Sequence, residues 1–132
     1  MQYLLDTDTC IDLLRGVAST TSHAASVPPT DCAISTVTSY ELLFGAANCA
    51  RPAQERRKVL IFIAALTELP FDHQAADHAA QLRADLEAKG APIGACDLQI
   101  AGHALAAGLT LVTSNSREFG RVKGLPLQDW RK

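Results

Sequence analysis

The segment YLLDTDT, residues 3–9, places two aspartates, Asp6 and Asp8, directly after three apolar residues. The apolar residues predict a short buried strand over Gln2–Leu5, and Gly16 predicts the end of a helix over Thr9–Arg15. Aspartate is a poor strand former, and two carboxylates at one strand end repel each other. Their position therefore needs a reason, which is either a bound ligand or a helix cap.

Helix capping accounts for one of the two aspartates better than for the other. Asp8 or Thr9 is suitably placed to be the N-cap of the first helix, with Asp12 in the capping-box position relative to Thr9. For Asp6, which ends the predicted strand, capping is a poor explanation. Asp6 is therefore the stronger candidate for a functional residue.

The composition is that of a globular protein, with 132 residues, 48% of them hydrophobic, and a formal net charge of −2. This length predicts a single domain over residues 1–132. A charge so close to zero excludes strong overall attraction to nucleic acid or to anionic membranes. Contact with RNA then requires a bound metal or local basic clusters, for which the candidates are Arg51, Arg56, Arg57 and Lys58, and Arg117, Arg121 and Lys123.

Four cysteines, at positions 10, 32, 49 and 96, lack the paired spacing of a zinc site or a disulfide framework. Cys10, Cys32 and Cys96 lie among apolar residues and are interpreted as small core residues. The longest apolar run, Val59–Leu66, is too short to cross a bilayer, and the N-terminus lacks the pattern of a signal peptide. These features predict a reduced, cytoplasmic protein without membrane contact.

Short apolar segments alternate with helical patterns along the chain. Strands are predicted at 2–5, 32–35, 67–69 and 109–113, with an extended piece at 125–127, and helices at 9–15, 37–48, 51–66, 72–89, 95–107 and 116–119. Segment 17–31, rich in Ser, Thr and Pro, is predicted to be a loop. This alternation predicts an α/β fold with a parallel sheet covered on both faces. Ligands bind beyond the carboxyl ends of such strands, where Asp6 lies.

Two further acids occupy helix faces that are otherwise apolar. Glu41 shares a face with Val37 and Phe44, and Asp97 begins a stripe that continues through Ile100. No lysine or arginine lies between residues 90 and 116 to neutralise Asp97. A buried carboxylate without compensation costs several kcal/mol, so the pattern indicates a metal ion or a shifted pKa.

Each acid also has a simpler interpretation. Asp97 in a first turn complements the helix dipole, and Glu41 can lie at the rim of its stripe. One shared site accounts for Asp6, Glu41 and Asp97 together, which favours function. His73 and His78 are predicted to be surface residues, and His103 is predicted to be packed or partly exposed, off the face of Asp97.

The chain resembles the PIN-domain superfamily, specifically the VapC-type ribonuclease toxins of bacterial toxin–antitoxin pairs. The matching stretches are YLLDTDTCIDLLRG, ISTVTSYELLFGA and GAPIGACDLQIAGHALAAGLTLVTSNSREFGRVKGLPLQDW. They occur in this order and, with the linking helices, cover nearly the whole chain. The resemblance implies a three-layer α/β/α PIN domain over residues 1–132 with a central parallel sheet.

The resemblance also implies a site and partners. Asp6, Glu41 and Asp97 match the catalytic acids that bind Mg²⁺ or Mn²⁺ in this family, where the ion activates water and stabilises charge on phosphate. The expected substrate is RNA, with a tRNA anticodon loop favoured by the similarity to enteric toxins. The expected partners are a VapB-like antitoxin and a second copy in a homodimer. The Val59–Leu66 helix and the Leu13/Leu14 face offer a groove for the antitoxin, although core packing or dimerisation explains them equally well.

Two positions depart from the family pattern. Asp8 stands where the family usually has Asn, and it either supports the metal site or caps the helix. Asn115 stands where many PIN domains have a fourth acid, and it either holds the metal or a water or caps the short helix at 116–119. Glu118 can supply the missing charge. Support of the metal or of substrate phosphate is expected from Thr7, Thr113 and Ser114, against plain strand-end packing.

Two other functions fit parts of the sequence. A strand followed by D-x-D is typical of haloacid-dehalogenase-like phosphatases, but Cys10 replaces their usual Thr or Val and LTLVTSNS lacks their paired acids. A PIN fold that has lost catalysis and only binds RNA or a partner is the other alternative. The retained acids argue against it, and Asn115 argues for it.

Overall fold

The computed structural model describes residues 1–132 and contains one five-stranded parallel sheet and seven α-helices. The strands are β1 (Tyr3–Leu5), β2 (Cys32–Ser35), β3 (Thr67–Leu69), β4 (Thr110–Val112) and β5 (Leu127–Gln128). The helices are α1 (Thr7–Arg15), α2 (Ala18–Ala25), α3 (Thr36–Ala47), α4 (Pro52–Ala64), α5 (His73–Ala88), α6 (Ala95–Ala107) and α7 (Ser116–Phe119). The predicted α/β class is confirmed, and every predicted boundary lies within two residues of the observed one. No helix combines the length and apolar character needed to span a membrane.

The order of the strands, β3-β2-β1-β4-β5, puts β1 at the centre of the sheet. The chain moves outward from β1 through β2 to β3 and then returns to the other side of β1 for β4 and β5. Ligands in such folds bind where the strand order reverses, at the carboxyl ends of the central strands. Leu5 pairs with Val112, and the backbone N–H of Asp6 donates to the Val112 carbonyl at 3.0 Å. Asp6 and Thr113, which follow these strands, therefore lie side by side at this edge.

Two hydrophobic cores occupy the two faces of the sheet, because successive strand side chains point to opposite faces. Leu4, Ala33 and Leu111 pack with residues of α5 and α6. Leu5 and Ile34 belong to the other core, with residues of α1, α3 and α4. This alternation produces the three layers.

The loop prediction for residues 17–31 is wrong, because α2 and a short 3₁₀ turn (Pro29–Asp31) lie within it. Val17, the N-cap of α2, provides no side-chain hydrogen bond. The helix is instead fixed from outside: Thr20 donates to Asp12 Oδ2 at 3.2 Å, and His23 stacks on Trp130 with ring centroids 4.9 Å apart. These partners belong to α1 and to the C-terminal end of the chain, so the local sequence does not indicate the helix.

The same C-terminal segment is attached to α1 by a bidentate ion pair. Arg131 Nε and Nη2 donate to the two carboxylate oxygens of Asp12, each at 2.7 Å. Asp12 is only 4% exposed. Hydrogen bonds from Arg131 are the largest influence on this carboxyl and lower its pKa from the ordinary value.

Replacing Arg131 by glutamine is expected to lower the melting temperature at neutral pH, because the buried Asp12 carboxylate loses its cation. A lowered pKa contributes stability above the unfolded pKa near 3.8, and this contribution is lost as pH falls through the folded value. The difference between the original protein and Arg131→Gln should therefore shrink as the pH drops below about 4. Thermal unfolding of both proteins between pH 3 and 8 measures it, and a difference independent of pH would contradict this account.

Candidate active site

Asp6 is both a buried carboxylate and a helix cap. Its side chain is 2% exposed, and its Oδ1 accepts a hydrogen bond from the Thr9 N–H at 2.8 Å, which makes Asp6 the N-cap of α1. The expectation that Asp8 or Thr9 caps this helix, and that Asp6 does not, is wrong. The extended backbone of Asp6 turns its carboxylate back onto the first helical turn, and α1 therefore starts at Thr7. Asp8 is exposed in that turn.

The environment of Asp6 opposes its negative charge. Burial is the largest influence and raises the pKa of this carboxyl, while hydrogen bonds from Thr113 and Thr9 act in the opposite direction. Thr113 is itself 1% exposed, and its hydroxyl accepts a hydrogen bond from the Asn115 N–H at 2.9 Å. Thr113 therefore lies beside Asp6, while its predicted support of a metal or of substrate phosphate stays a prediction.

Glu41 lies on α3 and is oriented by a residue of α1. The Thr7 hydroxyl donates to Glu41 Oε1, and the Thr38 hydroxyl lies 3.3 Å from Thr7 Oγ1. A carboxylate only accepts, so the hydrogen of Thr7 goes to Glu41 and Thr38 donates to Thr7. The apolar face inferred for Glu41 is only partly correct, because Val37 is buried but Phe44 is 61% exposed. Glu41 therefore sits at the rim of its helix face.

Asp97 lies in the first turn of α6 and is the point at which the charges meet. Its pKa is raised to about 7, by burial first and then by the negative charges of Glu118, Asp6, Glu41 and Asp8. These four acids come from three separate parts of the chain and act on one carboxyl. No basic side chain is among the groups that shift this pKa. Negative charge from these acids thus acts on Asp97, while the metal-binding role of Asp6, Glu41 and Asp97 stays a prediction.

The segment after β4 is organised by hydrogen bonds between Asn115 and Glu118. Asn115 is the N-cap of α7, its Oδ1 accepting from the Glu118 N–H at 3.4 Å and its Nδ2 donating to Glu118 Oε2 at 2.8 Å. Glu118 Oε1 accepts from the N–H of Gly94, the N-cap of α6, at 3.0 Å. The capping role of Asn115 is confirmed, and Glu118 brings the fourth charge towards Asp97. Ser114 is half-buried beside them, and its side chain makes no hydrogen bond.

The donor set suits a hard divalent cation, because it consists of carboxylate oxygens that lack a neutralising side chain. As the side chains stand, no three acids are grouped closely enough to enclose an ion. Glu41 is turned to Thr7 and Glu118 to Asn115, as expected when like charges find separate hydrogen-bond donors. In this arrangement the acids therefore lie near one another without enclosing an ion.

Two features beside the acids differ from the sequence interpretation. Cys96, expected in the core, is only partly buried and lies beside Glu41 and Asp97, where burial and then the charge of Glu41 raise its pKa. A groove of about 660 Å³ also opens next to Glu41. It is lined by apolar residues of α1, α3 and α4, including Leu14 and Val59, and by basic residues at positions 15, 51 and 58. Leu13 does not line it, and the groove uses the beginning rather than the end of α4.

Sequence and structure comparisons agree on the family. The sequence profile of the PIN domain matches residues 3–125. The chain belongs to the PIN-domain family. This PIN domain is 38% identical to the tRNA(fMet)-specific endonuclease VapC of Salmonella typhimurium, over 98% of each chain. It is 34% identical to Ribonuclease VapC2 of Rickettsia felis over the full length of both.

Solved structures give the same result. The DNA-bound VapBC of Salmonella typhimurium superposes with a TM-score of 0.93, 38% identity and 98% coverage of each chain. VapBC-1 of nontypeable Haemophilus influenzae superposes with a TM-score of 0.90 and 31% identity over 100% of each chain. The PIN domain is therefore a VapC-type ribonuclease, a class that generally depends on a divalent metal. The phosphatase alternative is wrong.

The raised pKa of Asp97 predicts a pH dependence of stability without metal. A raised pKa contributes stability below the unfolded value near 3.8, and this is lost as pH rises through about 7. The melting temperature in EDTA should therefore fall between pH 5 and 8 more steeply for the original protein than for Asp97→Asn, which cannot ionise. A divalent cation should reverse the fall. Equal slopes for the two proteins would show that burial and the neighbouring acids do not raise the pKa of Asp97.

Proposed function

We propose that this PIN domain is a Mg²⁺-dependent endoribonuclease toxin that cleaves transfer RNA. The observation that carries the proposal is the placement of acids at one edge of the sheet. Asp6 follows the central strand, Thr7 holds Glu41 from the first turn of α1, and Glu118 reaches the N-cap of α6, whose first turn carries Asp97. Burial and the neighbouring acids raise the pKa of Asp97 to about 7. A fold tolerates such a cluster at a stability cost when a cation is to be bound there. Membership of the VapC ribonucleases supplies the reaction, which is hydrolysis of a phosphodiester bond.

The proposed metal ligands and catalytic acids are Asp6, Glu41 and Asp97, with further negative charge from Glu118 and Asp8. Mg²⁺, or Mn²⁺ in its place, supplies activation of water and neutralisation of charge on the phosphate when bound. The buried surroundings of Asp6 strengthen its attraction for a cation, because the effective dielectric is low there. Hydrogen bonds from neighbouring residues to the ligands of a metal orient those ligands. That role falls to Thr7 for Glu41 and to Thr113 for Asp6, with Ser114 left as a candidate for contact with substrate phosphate.

Initiator transfer RNA is the first substrate to test, because two similar proteins, from Salmonella typhimurium and Shigella flexneri, are tRNA(fMet)-specific endonucleases. We expect the cut in the anticodon loop. Arg15, Arg51 and Lys58 lie along the groove beside Glu41 and can hold RNA phosphates next to the acids. Arg121 is less available, because its Nη1 already donates to the Pro92 carbonyl at 3.0 Å.

The proposed regulator is a VapB-like antitoxin seated in the groove beside Glu41, since the similar solved structures are VapBC complexes. The proposed homodimer is supported by two large apolar side chains on α3, Tyr40 and Phe44, which are 64% and 61% exposed. We place the protein, as one domain over residues 1–132, in the cytoplasm, where transfer RNA is found.

The function is tested by incubating the purified protein with tRNA(fMet) and, as a matched control, with elongator tRNA(Met). We expect one cut in the initiator tRNA that requires Mg²⁺, is restored by Mn²⁺ and disappears in EDTA. Cleavage unaffected by EDTA would overturn the metal proposal. Absence of cleavage together with retained binding of a co-expressed antitoxin would instead indicate the non-catalytic binding module.

A further inference from the structure

Helix α6, which presents Asp97, packs through a smooth surface of small residues. Ala101 and Ala104 are fully buried, and Gly102 lies directly against the backbone of Ala79 on α5. Apolar contacts of this kind are non-directional. They hold the helix against α5 and the sheet without a directional polar contact.

A hydrogen bond between the middle of α6 and the end of β2 supplies a directional contact. His103 is 5% exposed, and its Nδ1 lies 2.8 Å from the hydroxyl of Ser35, a residue that is completely buried. Ser35 Oγ accepts the N–H of Val37 at 3.1 Å and so caps α3. Its own hydrogen is therefore available to donate to His103 Nδ1.

The pair joins the two helices that carry acids of the site. Ser35 ends β2 and lies six residues before Glu41 on α3, and His103 lies six residues after Asp97 on α6. Each acid is thus about 9 Å along its helix from the shared hydrogen bond. Phe71 packs edge-on against the His103 ring, with centroids 5.7 Å apart, and the ring is therefore held on a second side.

We propose that His103 is a positioning residue, whose hydrogen bond to Ser35 sets α6 relative to α3 and thereby the spacing of Asp97 from Glu41. His103 contacts neither acid and takes no part in the chemistry. This inference rests on the proposed metal site. It assigns to the buried histidine a role in metal affinity that a core-packing residue would not have.

The test compares His103→Leu, which keeps an apolar volume but removes the hydrogen bond, with His103→Asn, whose amide can reach Ser35. The readouts are Mg²⁺ binding to the protein without RNA, by calorimetry and by the Mg²⁺-induced rise in melting temperature. His103→Leu should weaken Mg²⁺ binding about 10–100-fold, the range typical for second-sphere partners of metal ligands. His103→Asn should recover most of the affinity.

Ile100→Val is the matched control, because Ile100 is fully buried on the same helix and makes no hydrogen bond through its side chain. It should lower the melting temperature while leaving the Mg²⁺ affinity unchanged. Should His103→Leu prove insoluble, Ser35→Ala removes the other partner together with the cap of α3, and it should weaken Mg²⁺ binding at least as much. In the double variant the two effects should not add.

Unchanged Mg²⁺ affinity in His103→Leu, or equal weakening in Ile100→Val, would overturn the positioning role while leaving the metal site intact. Absence of Mg²⁺ binding by the original protein would overturn the metal site itself, and the positioning role with it. Mg²⁺ binding by the original protein therefore distinguishes failure of the positioning role from failure of the metal site.

Discussion

Replacing Asp6 by asparagine is expected to lower RNA cleavage by about 10²–10³-fold or more, because electrostatic stabilisation at the phosphate depends on this acid. The protein should nevertheless fold. Asparagine caps a helix as well as aspartate does, and the change removes a charge that burial already disfavours. In EDTA the melting temperature should be unchanged or higher. With Mg²⁺ the original protein should gain stability by linkage and the variant much less.

Two control variants separate the cap from the charge at this position. Asp6→Ala loses both and should be less stable than Asp6→Asn by about 1 kcal/mol, the usual contribution of an N-cap. Asp8→Asn should keep substantial activity, because Asp8 is exposed and PIN domains generally have Asn there. Cleavage rates and melting curves with and without Mg²⁺ decide the matter. If Asp6→Asn unfolds, or cleaves RNA normally, Asp6 is a structural cap and the nuclease site lies elsewhere.

The second large effect is expected at Gly102, where α6 lies directly against the backbone of α5. A Cβ at this position would lie 2.6 Å from Ala79 Cα and 2.7 Å from its backbone nitrogen. Backbone atoms cannot move aside as a flexible side chain can, so Gly102→Ala must push the two helices apart. We expect a loss of stability of about 1–3 kcal/mol, typical of an overpacked core, despite the higher helix propensity of alanine.

Gly45→Ala is the matched control, because Gly45 also lies in a helix but a Cβ there would meet no atom within 4 Å. Alanine at this position should stabilise the protein by about 0.5–1 kcal/mol, through helix propensity alone. Denaturant unfolding of both variants measures the contrast. A stabilising effect of Gly102→Ala would show that α6 can shift away from α5 without loss.

The strands and long helices were predictable because their signals are local. A buried parallel strand is a short apolar run, and Gly16 and Gly108 end their helices with the left-handed backbone that favours glycine. The alternation of these elements is enough to predict a parallel sheet. Asp6 was predictable as a candidate site residue because it follows a buried strand, and such folds bind ligands beyond the carboxyl ends of their strands.

Helix α2 and the cap of α1 were not predictable, for a physical reason. The segment of α2 has a weak helical pattern, and its contacts are supplied by Asp12 and by Trp130 near the end of the chain. The capping role of Asp6 depends on how β1 leaves the sheet, a backbone direction that the order of residues does not specify. In both cases tertiary contacts override local preference.

By itself, then, the sequence determined the fold class and the strands, and it indicated the three acids as site candidates, because each depends on residue type and spacing along the chain. Only the tertiary structure decided which donors hold those acids, that Glu118 joins Asp97 while Asn115 caps α7, and that Cys96 lies beside the site. The pKa of Asp97 belongs to this second group, since it depends first on burial and then on charges brought together from three parts of the chain. Such long-range electrostatic coupling depends on distances in space, which no local pattern encodes.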